Sequence, residues 1–277
     1  MTALTMALPL AEASGAVITP TSQNRSVAVE VRNYHWSCED IQQDVSCNFP
    51  IVIITDETLN DGQIASGFGP FSANTLVPVE GTNSWATQES AISGASLTAS
   101  GAFYADGEER RYVEFPFIYH QQYIDSQVET RYSVTFSLDE ASAFYLNGDF
   151  ELRDSYCHPS ELGVAAQVSL TLTGPGGAVV DAGISIAVGD CFPTLALREA
   201  GQLDPGVYTL EVMATGEGRG YCFGFFGQVC MFNPTYGEFS LMFALGPRPV
   251  PALPSRALGL LAALLATLGA TSLFPRK

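Results

Sequence analysis

The feature that most constrains this chain is an apolar–polar alternation of period two that recurs along its body. Val27, Val29 and Val31 alternate with Ala28, Glu30 and Arg32. Val134, Phe136 and Leu138 alternate with Thr135 and Ser137. The same pattern runs through Val168, Leu170 and Leu172, through Tyr208, Leu210 and Val212, and through Phe239, Leu241, Phe243 and Leu245. Successive side chains on a strand point to opposite faces, so this pattern belongs to strands with one buried face. Ile51, Val52, Ile53 and Ile54 form an unbroken apolar run, which reads as a short buried strand. Turn chemistry separates the runs. Asn147-Gly148 predicts a tight type I′ hairpin between 143–146 and 149–152. The run from Gly174 to Gly177 predicts another turn, and Asp204-Pro205-Gly206 leads into a strand at 207–214. The stretch from Thr58 to Ala91, rich in Gly, Ser, Asn and Thr, reads as a long loop or as short strands. No helical period of any length occurs before residue 257. With roughly eight to ten strands, the expected fold is all-β, a single antiparallel two-sheet sandwich of jelly-roll-like type over residues 25–246. A sandwich of this length is ordinary for one domain.

The end of the chain has a different character. Residues 247–256 are proline-rich, and Ala257 to Phe274 is an uncharged run followed by Pro275, Arg276 and Lys277. As a helix this run is roughly 27 Å long, close to the ~30 Å of a hydrocarbon core. It predicts one C-terminal transmembrane helix over 257–274 with a short basic tail at 275–277. Residues 1–16 read as the remnant of a truncated signal peptide, with small residues around Ala11, Ala13 and Gly15.

Formal net charge is −17. All acidic residues except Glu12 lie between 17 and 246, whereas Arg248, Arg256, Arg276 and Lys277 lie beyond. Such a surface repels phosphate, which argues against nucleic acid as a partner. It leaves divalent cations as possible ligands. Calcium takes several oxygen ligands, and the first candidates are Asp56 with Asp61 and Asp106 with Glu108. No other metal or cofactor is expected. The six cysteines Cys38, Cys47, Cys157, Cys191, Cys222 and Cys230 include no CxxC pair. On an exported chain they predict disulfides, in sequential pairing: Cys38–Cys47, Cys157–Cys191 and Cys222–Cys230.

No G-x-S-x-G or H-E-x-x-H motif occurs. His35, His120 and His158 are scattered along the chain and read as surface or loop residues. No catalytic residue is assigned. The segment 221–232 concentrates aromatics between Cys222 and Cys230, which suits either a cap on the core or a loop that stacks on sugar rings.

Val250, Pro251, Ala252, Leu253 and Pro254, followed by an apolar run and a basic end, resemble the C-terminal sorting signals of Gram-negative bacteria, the PEP-CTERM and IPTL-type group. The resemblance implies export, anchoring in the inner membrane with a periplasmic ectodomain, and processing by an exosortase-type protease. Ser84 to Ser93, Ser100 to Phe103 and Ser133 to Leu138 look like the β-sandwich proteins that carry such tails. Leu203 to Leu210 resembles the closing strands of secreted jelly-roll modules. The expected function is that of a non-enzymatic surface, matrix or adhesion protein. Its partner would be a polysaccharide or another cell-surface component. A carbohydrate-binding module and a secreted hydrolase stand as alternatives.

Overall fold

A computed structural model describes residues 16–39, 52–79, 81–114, 118–154, 166–186, 191–222 and 230–246. The chain divides into two compact units, Met1–Gly246 and Pro247–Lys277. The second unit lies outside the described residues, and with it the 257–274 run and the sorting motif. Among the described residues there is no helix long and apolar enough to cross a membrane.

The first unit is all-β. Its strands are β1 (Thr19–Glu39), β2 (Val52–Ile64), β3 (Phe71–Val79), β4 (Thr82–Ile92), β5 (Ser96–Ala105), β6 (Glu108–Glu114) and β7 (Ile118–Leu138). They continue with β8 (Ser142–Asp154), β9 (Ala166–Gly174), β10 (Gly177–Ser185), β11 (Thr194–Leu203), β12 (Gly206–Cys222), β13 (Cys230–Asn233) and β14 (Thr235–Leu245). They form two antiparallel sheets. The eight-stranded sheet runs β10-β9-β12-β7-β1-β2, with β13 beside β12 and β6 beside β7. The six-stranded sheet runs β11-β8-β14-β5-β4-β3.

The alternation seen in the sequence becomes the core. Val27, Val29 and Val31 of β1, Tyr132, Val134 and Phe136 of β7, and Leu210 and Val212 of β12 are buried on one sheet. They face Leu97 and Phe103 of β5, Leu146 and Leu152 of β8, and Phe239 and Phe243 of β14. Phe136 meets Phe243 with ring centroids 5.4 Å apart. Burying each such side chain stabilises the fold by about 1.5–3 kcal/mol.

Two devices join the sheets. Arg25 is fully buried and donates to the carbonyls of Gly67 and Gly69, to Ser90 Oγ and to Gln23 Oε1. Its guanidinium also lies 5.6 Å from the Phe71 ring. These bonds satisfy a buried cation and tie the β2–β3 connection to the core. The second device is a change of sheet at Asp106-Gly107. There the chain leaves β5 and becomes β6, replacing β12 as the neighbour of β7. β12 pairs with β7 as far as Gly218↔Ser126, and β6 takes over from Glu108↔Ile124. Beyond that point β12 lies directly on β6. A Cβ on Gly218 would overlap the Asp106 backbone, and one on Gly220 would overlap the backbone nitrogen of Glu109. Gly218 and Gly220 allow the two backbones to touch, while Gly216 makes room for the Phe103 ring.

Two sequence expectations are corrected here, and for the 58–91 stretch the strand reading holds over the loop reading. Asn147-Gly148 is not a hairpin: β8 runs through it without a break, paired with β14 at Asn147↔Met242 and Gly148↔Leu241. Gly148 is needed for space, since a Cβ there would stand 2.9 Å from the Phe150 ring. The apolar run at 51–54 is not a buried strand. Its described part opens the edge strand β2, where Ile53 is 57% exposed. The stretch from Thr58 to Ala91 holds the rest of β2, all of β3 and most of β4. By contrast, the expected turn before Gly177 is present. Gly174↔Gly177 closes the β9–β10 hairpin, with Gly177 at φ 110°.

Candidate functional site

The outward positions of the six-stranded sheet place one residue from each of five strands in a row. Leu76 of β3 lies opposite Trp85 of β4, and Trp85 lies opposite Tyr104 of β5. Tyr104 lies opposite Tyr236 of β14, and Tyr236 opposite Arg153 of β8. The rings of Trp85 and Tyr104 are nearly parallel, 6.3 Å apart with 19° between their planes. Trp85 meets Tyr236 edge-on at 6.3 Å. Arg153 sits 5.6 Å over the Tyr236 ring and pairs with Glu151. The three aromatics are half-buried, so part of each ring lies on the surface.

Two residues further along each strand, about 7 Å away, the side chains become short and polar. A concavity of about 840 Å³ opens there, with Ala102, Ser100, Ser240, Glu89, Glu151 and Glu238 among its lining. Asn74 and Thr87 add an amide and a hydroxyl, and Asp149 is held by Arg198 at 2.7 Å. Tyr236 donates its phenol to Glu238. Burial, together with the Glu238 carboxylate, pushes the Tyr236 phenol up to about 12. It is therefore a neutral donor at neutral pH. Burial, and then the Asp106 charge, push the Tyr104 phenol up as well. The face thus combines a row of aromatic rings with neighbouring carboxylates that accept hydrogen bonds. Such a set can stack on an apolar ring face and bind its hydroxyls.

A second cluster lies on the inward face of the eight-stranded sheet, past the end of the core. Along β7 the inward positions change from Ile124 to Gln122 and His120. His120 of β7 and Tyr112 of β6 are register partners, and their rings stack at 4.5 Å with 8° between planes. His35 of β1 places Nε2 3.3 Å from His120 Nδ1 and 3.5 Å from the Tyr112 hydroxyl. Gln122 donates to Asn33 beside them. The reading of the histidines as scattered is therefore corrected for this pair. Adjacent strands bring His35 and His120 together, though 85 residues separate them. His158 lies outside the described residues.

The two pairs of calcium candidates are placed differently. Asp56 and Asp61 are separated by an odd number of positions on β2, so they project from opposite faces of the strand. Asp56 pairs with Arg32 at 3.3 Å. Glu108 is buried and ion-paired with Arg110, while Asp106 sits at the sheet change with its carboxyl pushed up by burial. Among the described residues there is no group of three or more His, Cys, Asp or Glu that could hold a metal ion. Cys38 and Cys191 are buried and neither is a free thiol. Cys47 and Cys157 lie outside the described residues. Cys222 and Cys230 stand directly opposite each other in the backbone register of β12 and β13, and most of the aromatic segment between them lies outside the described residues. Trp85, Tyr104, Tyr236, Glu89, Glu151 and Glu238 are missed by a search for motifs. The signal for them is aromatics at the outward positions of strands whose inward positions are small or apolar.

The chain matches no protein family and no curated protein. Among solved structures it is similar to the infectious bursal disease virus VP2 subviral particle at 11% identity, with a TM-score of 0.20. That match covers 82% of this chain and 62% of the other. A structure of the Gx strain of the same virus gives 11% identity and a TM-score of 0.18, covering 85% of this chain and 63% of that one. The GH31 alpha-xylosidase of Xanthomonas citri gives 8% identity and a TM-score of 0.16 over 64% of this chain and 28% of the other. The chain thus spans less than two thirds of the length of these proteins, and likenesses of this size carry no argument about function.

Proposed function

We propose that this protein is an exported, non-enzymatic β-sandwich that binds an extended polysaccharide along the outer face of its six-stranded sheet. The observation that carries this reading is the Trp85–Tyr104–Tyr236 row beside a concavity lined by carboxylates and hydroxyls. A pyranose ring presents an apolar C–H face and a polar hydroxyl rim. The aromatic row suits the first, and Glu89, Glu238, Asn74 and Thr87 suit the second. The open shape of the face fits a chain that continues past both ends better than a small molecule held in a closed pocket.

The rest of the chain serves delivery and durability on this reading. Residues 247–277 act as a PEP-CTERM-like sorting signal, read by an exosortase-type protease, with 257–274 as the membrane anchor and the sandwich in the periplasm. Disulfides Cys38–Cys47, Cys157–Cys191 and Cys222–Cys230 staple the exported domain. The sandwich is jelly-roll-like, because the chain passes repeatedly from one sheet to the other.

Retention on insoluble polysaccharides, with soluble oligosaccharides as competitors, tests the binding claim. Trp85→Ala should lose retention while keeping a wild-type circular dichroism spectrum. Equal retention by both proteins would remove the claim. Fractionation of cells tests delivery, and full-length protein confined to the cytoplasm would contradict it.

A further inference from the structure

We propose that the edge strand β2 pairs antiparallel with β2 of a second copy of this chain, about a two-fold axis through Thr58. The strand itself is the first argument. Among the described residues β2 ends the eight-stranded sheet and pairs on one side only, with β1. At 13 residues it is longer than β3, β10 and β11, the other strands that end the two sheet orders, which have 9, 9 and 10. It holds no proline and no lysine, residues that commonly blunt an edge. Its one register shift lies near its start, opposite His35 and Trp36, and leaves 55–64 regular. β2 also reaches past the other sheet. Glu57, Leu59 and Asp61 share the inward face with their β1 partners Asn33, Val31 and Val29, yet all three are exposed. Val52, Ile53, Ile54, Leu59 and Ile64 are exposed on this one strand, Ile64 by 76%. Such an edge offers its backbone N–H and C=O groups as a template for another strand.

Charge selects the second copy and the register. Side chains alternate between faces, so a two-fold axis perpendicular to the sheet must pass through one residue position and set it against itself. An axis at Thr58 pairs all 13 positions of β2. Asp56 then faces Asn60, Glu57 faces Leu59 and Asp61 faces Thr55, so no carboxylate stands directly opposite another. Val52 faces Ile64, and Ile53 and Ile54 face Gln63 and Gly62, so each apolar end lies along the other copy. A shift of one residue loses this. An axis at Glu57 opposes two copies of Glu57, and an axis at Leu59 opposes Glu57 to Asp61; like charges directly opposite are destabilising. An axis at Asn60 avoids such pairs but leaves 52–54 without a partner. With the axis at Thr58 the acids meet only on the diagonal, Glu57 with the partner's Glu57 and the partner's Asp61, about 7–8 Å apart. A perpendicular axis also keeps both copies facing one way, so both Trp85 rows lie on the same side. On the polysaccharide reading that makes the pair bivalent toward one surface, although the pairing of β2 does not depend on that reading.

The test uses the full chain in mild detergent, followed by sedimentation and by oxidative cross-linking. The wild-type chain should reach twice 29.6 kDa. One strand pair is smaller than the roughly 20–30 residues a side of a standard interface, so the dimer should form at concentrations on the order of 10–100 μM. Raising the salt to about 0.5 M should strengthen it by screening the diagonal acids. Thr58→Asp opposes two carboxylates at the axis and should weaken the dimer at least about tenfold. The melting temperature should hold, because Thr58 is exposed and its register partner is Arg32. Opposed residues on paired strands stand about 4.5–5.5 Å apart at Cα, within the roughly 4.4–6.8 Å of a disulfide. Thr58→Cys should therefore link two copies under mild oxidation, whereas Asn60→Cys should not. A chain still monomeric at about 1 mM would overturn the proposal. So would a dimer untouched by Thr58→Asp, because it would be held elsewhere, and so would linkage through Asn60→Cys in place of Thr58→Cys. If Thr58→Asp does not fold, the two cysteine variants decide.

Discussion

The two sheets present outer faces that place their aromatic residues differently. Both are acidic and shallowly concave. The eight-stranded sheet carries a concavity of about 460 Å³ lined by Ala28, Glu30, Gln127, Glu129 and Thr215, and its outward aromatics, Tyr34 opposite Tyr123 and Trp36 beside Tyr119, lie further along β1 and β7, away from it. The six-stranded sheet has a similar polar floor and similar carboxylates, but next to them it sets Trp85, Tyr104 and Tyr236 across three adjacent strands. Carboxylates common to both faces cannot distinguish them. An aromatic row directly beside the concavity is what sets the six-stranded face apart.

The largest expected effect breaks both faces at once. Gly220→Val forces a side chain into the Glu109 backbone and should destabilise by about 3 kcal/mol or more. Thermal denaturation should show a loss of roughly 10 °C, with polysaccharide retention falling in step with the folded fraction. Next, Trp85→Ala with Tyr104→Ala should break one face only. Retention should fall at least about tenfold, or roughly 1.4 kcal/mol. Stability should fall by only about 1 kcal/mol, the scale of a cross-strand pair. A smaller effect runs the other way. Thr215 and Glu129 are register partners on the eight-stranded face, so Thr215→Trp with Glu129→Tyr installs an aromatic pair there. In the Trp85→Ala background this should restore binding by roughly two- to tenfold. No gain would mean that the row needs more than flat rings beside carboxylates.

The smallest effect is a pH dependence confined to the end of the eight-stranded sheet. The His35 imidazole is held below its ordinary range, chiefly by burial. Above about pH 6.5 it is neutral in both the folded and the unfolded chain and contributes no pH dependence. Below that, the unfolded chain takes up the proton first, so stability falls as the pH falls. Melting curves between pH 7 and pH 5 should show this decline, and His35→Gln should reduce it. Retention by the other sheet should not follow it.

The period-two runs made the strands at 27–31, 134–138, 168–172, 208–212 and 239–245 legible, because each buries one face against the other sheet. Asn147-Gly148 misled because its local turn preference is weaker than pairing with strands on both sides of β8. The described part of the 51–54 run misled because hydrophobicity alone does not say which strand lies at a sheet edge. The meeting of His35 with His120 depends on the register between β1 and β7, which no local pattern encodes. Gly216, Gly218 and Gly220 do form a period-two signal for close packing, against the Phe103 ring at Gly216 and against backbone at Gly218 and Gly220, visible in the sequence once glycine is counted as an inward residue. The aromatic row was half legible. Trp85 and Tyr104 occupy outward positions of their strands, but that Tyr236 joins them follows only from the strand order.

The most direct test measures binding of the wild-type chain to a soluble, extended polysaccharide fragment by nuclear magnetic resonance, reading the indole N–H of its two tryptophans. Only Trp85 lies on the proposed face, and Trp36 on β1 serves as the internal reference. A saturable shift of the Trp85 signal alone, abolished by Tyr104→Ala, is the predicted result. Saturable binding that leaves Trp85 unmoved, or moves only Trp36, would contradict the assignment of the binding face.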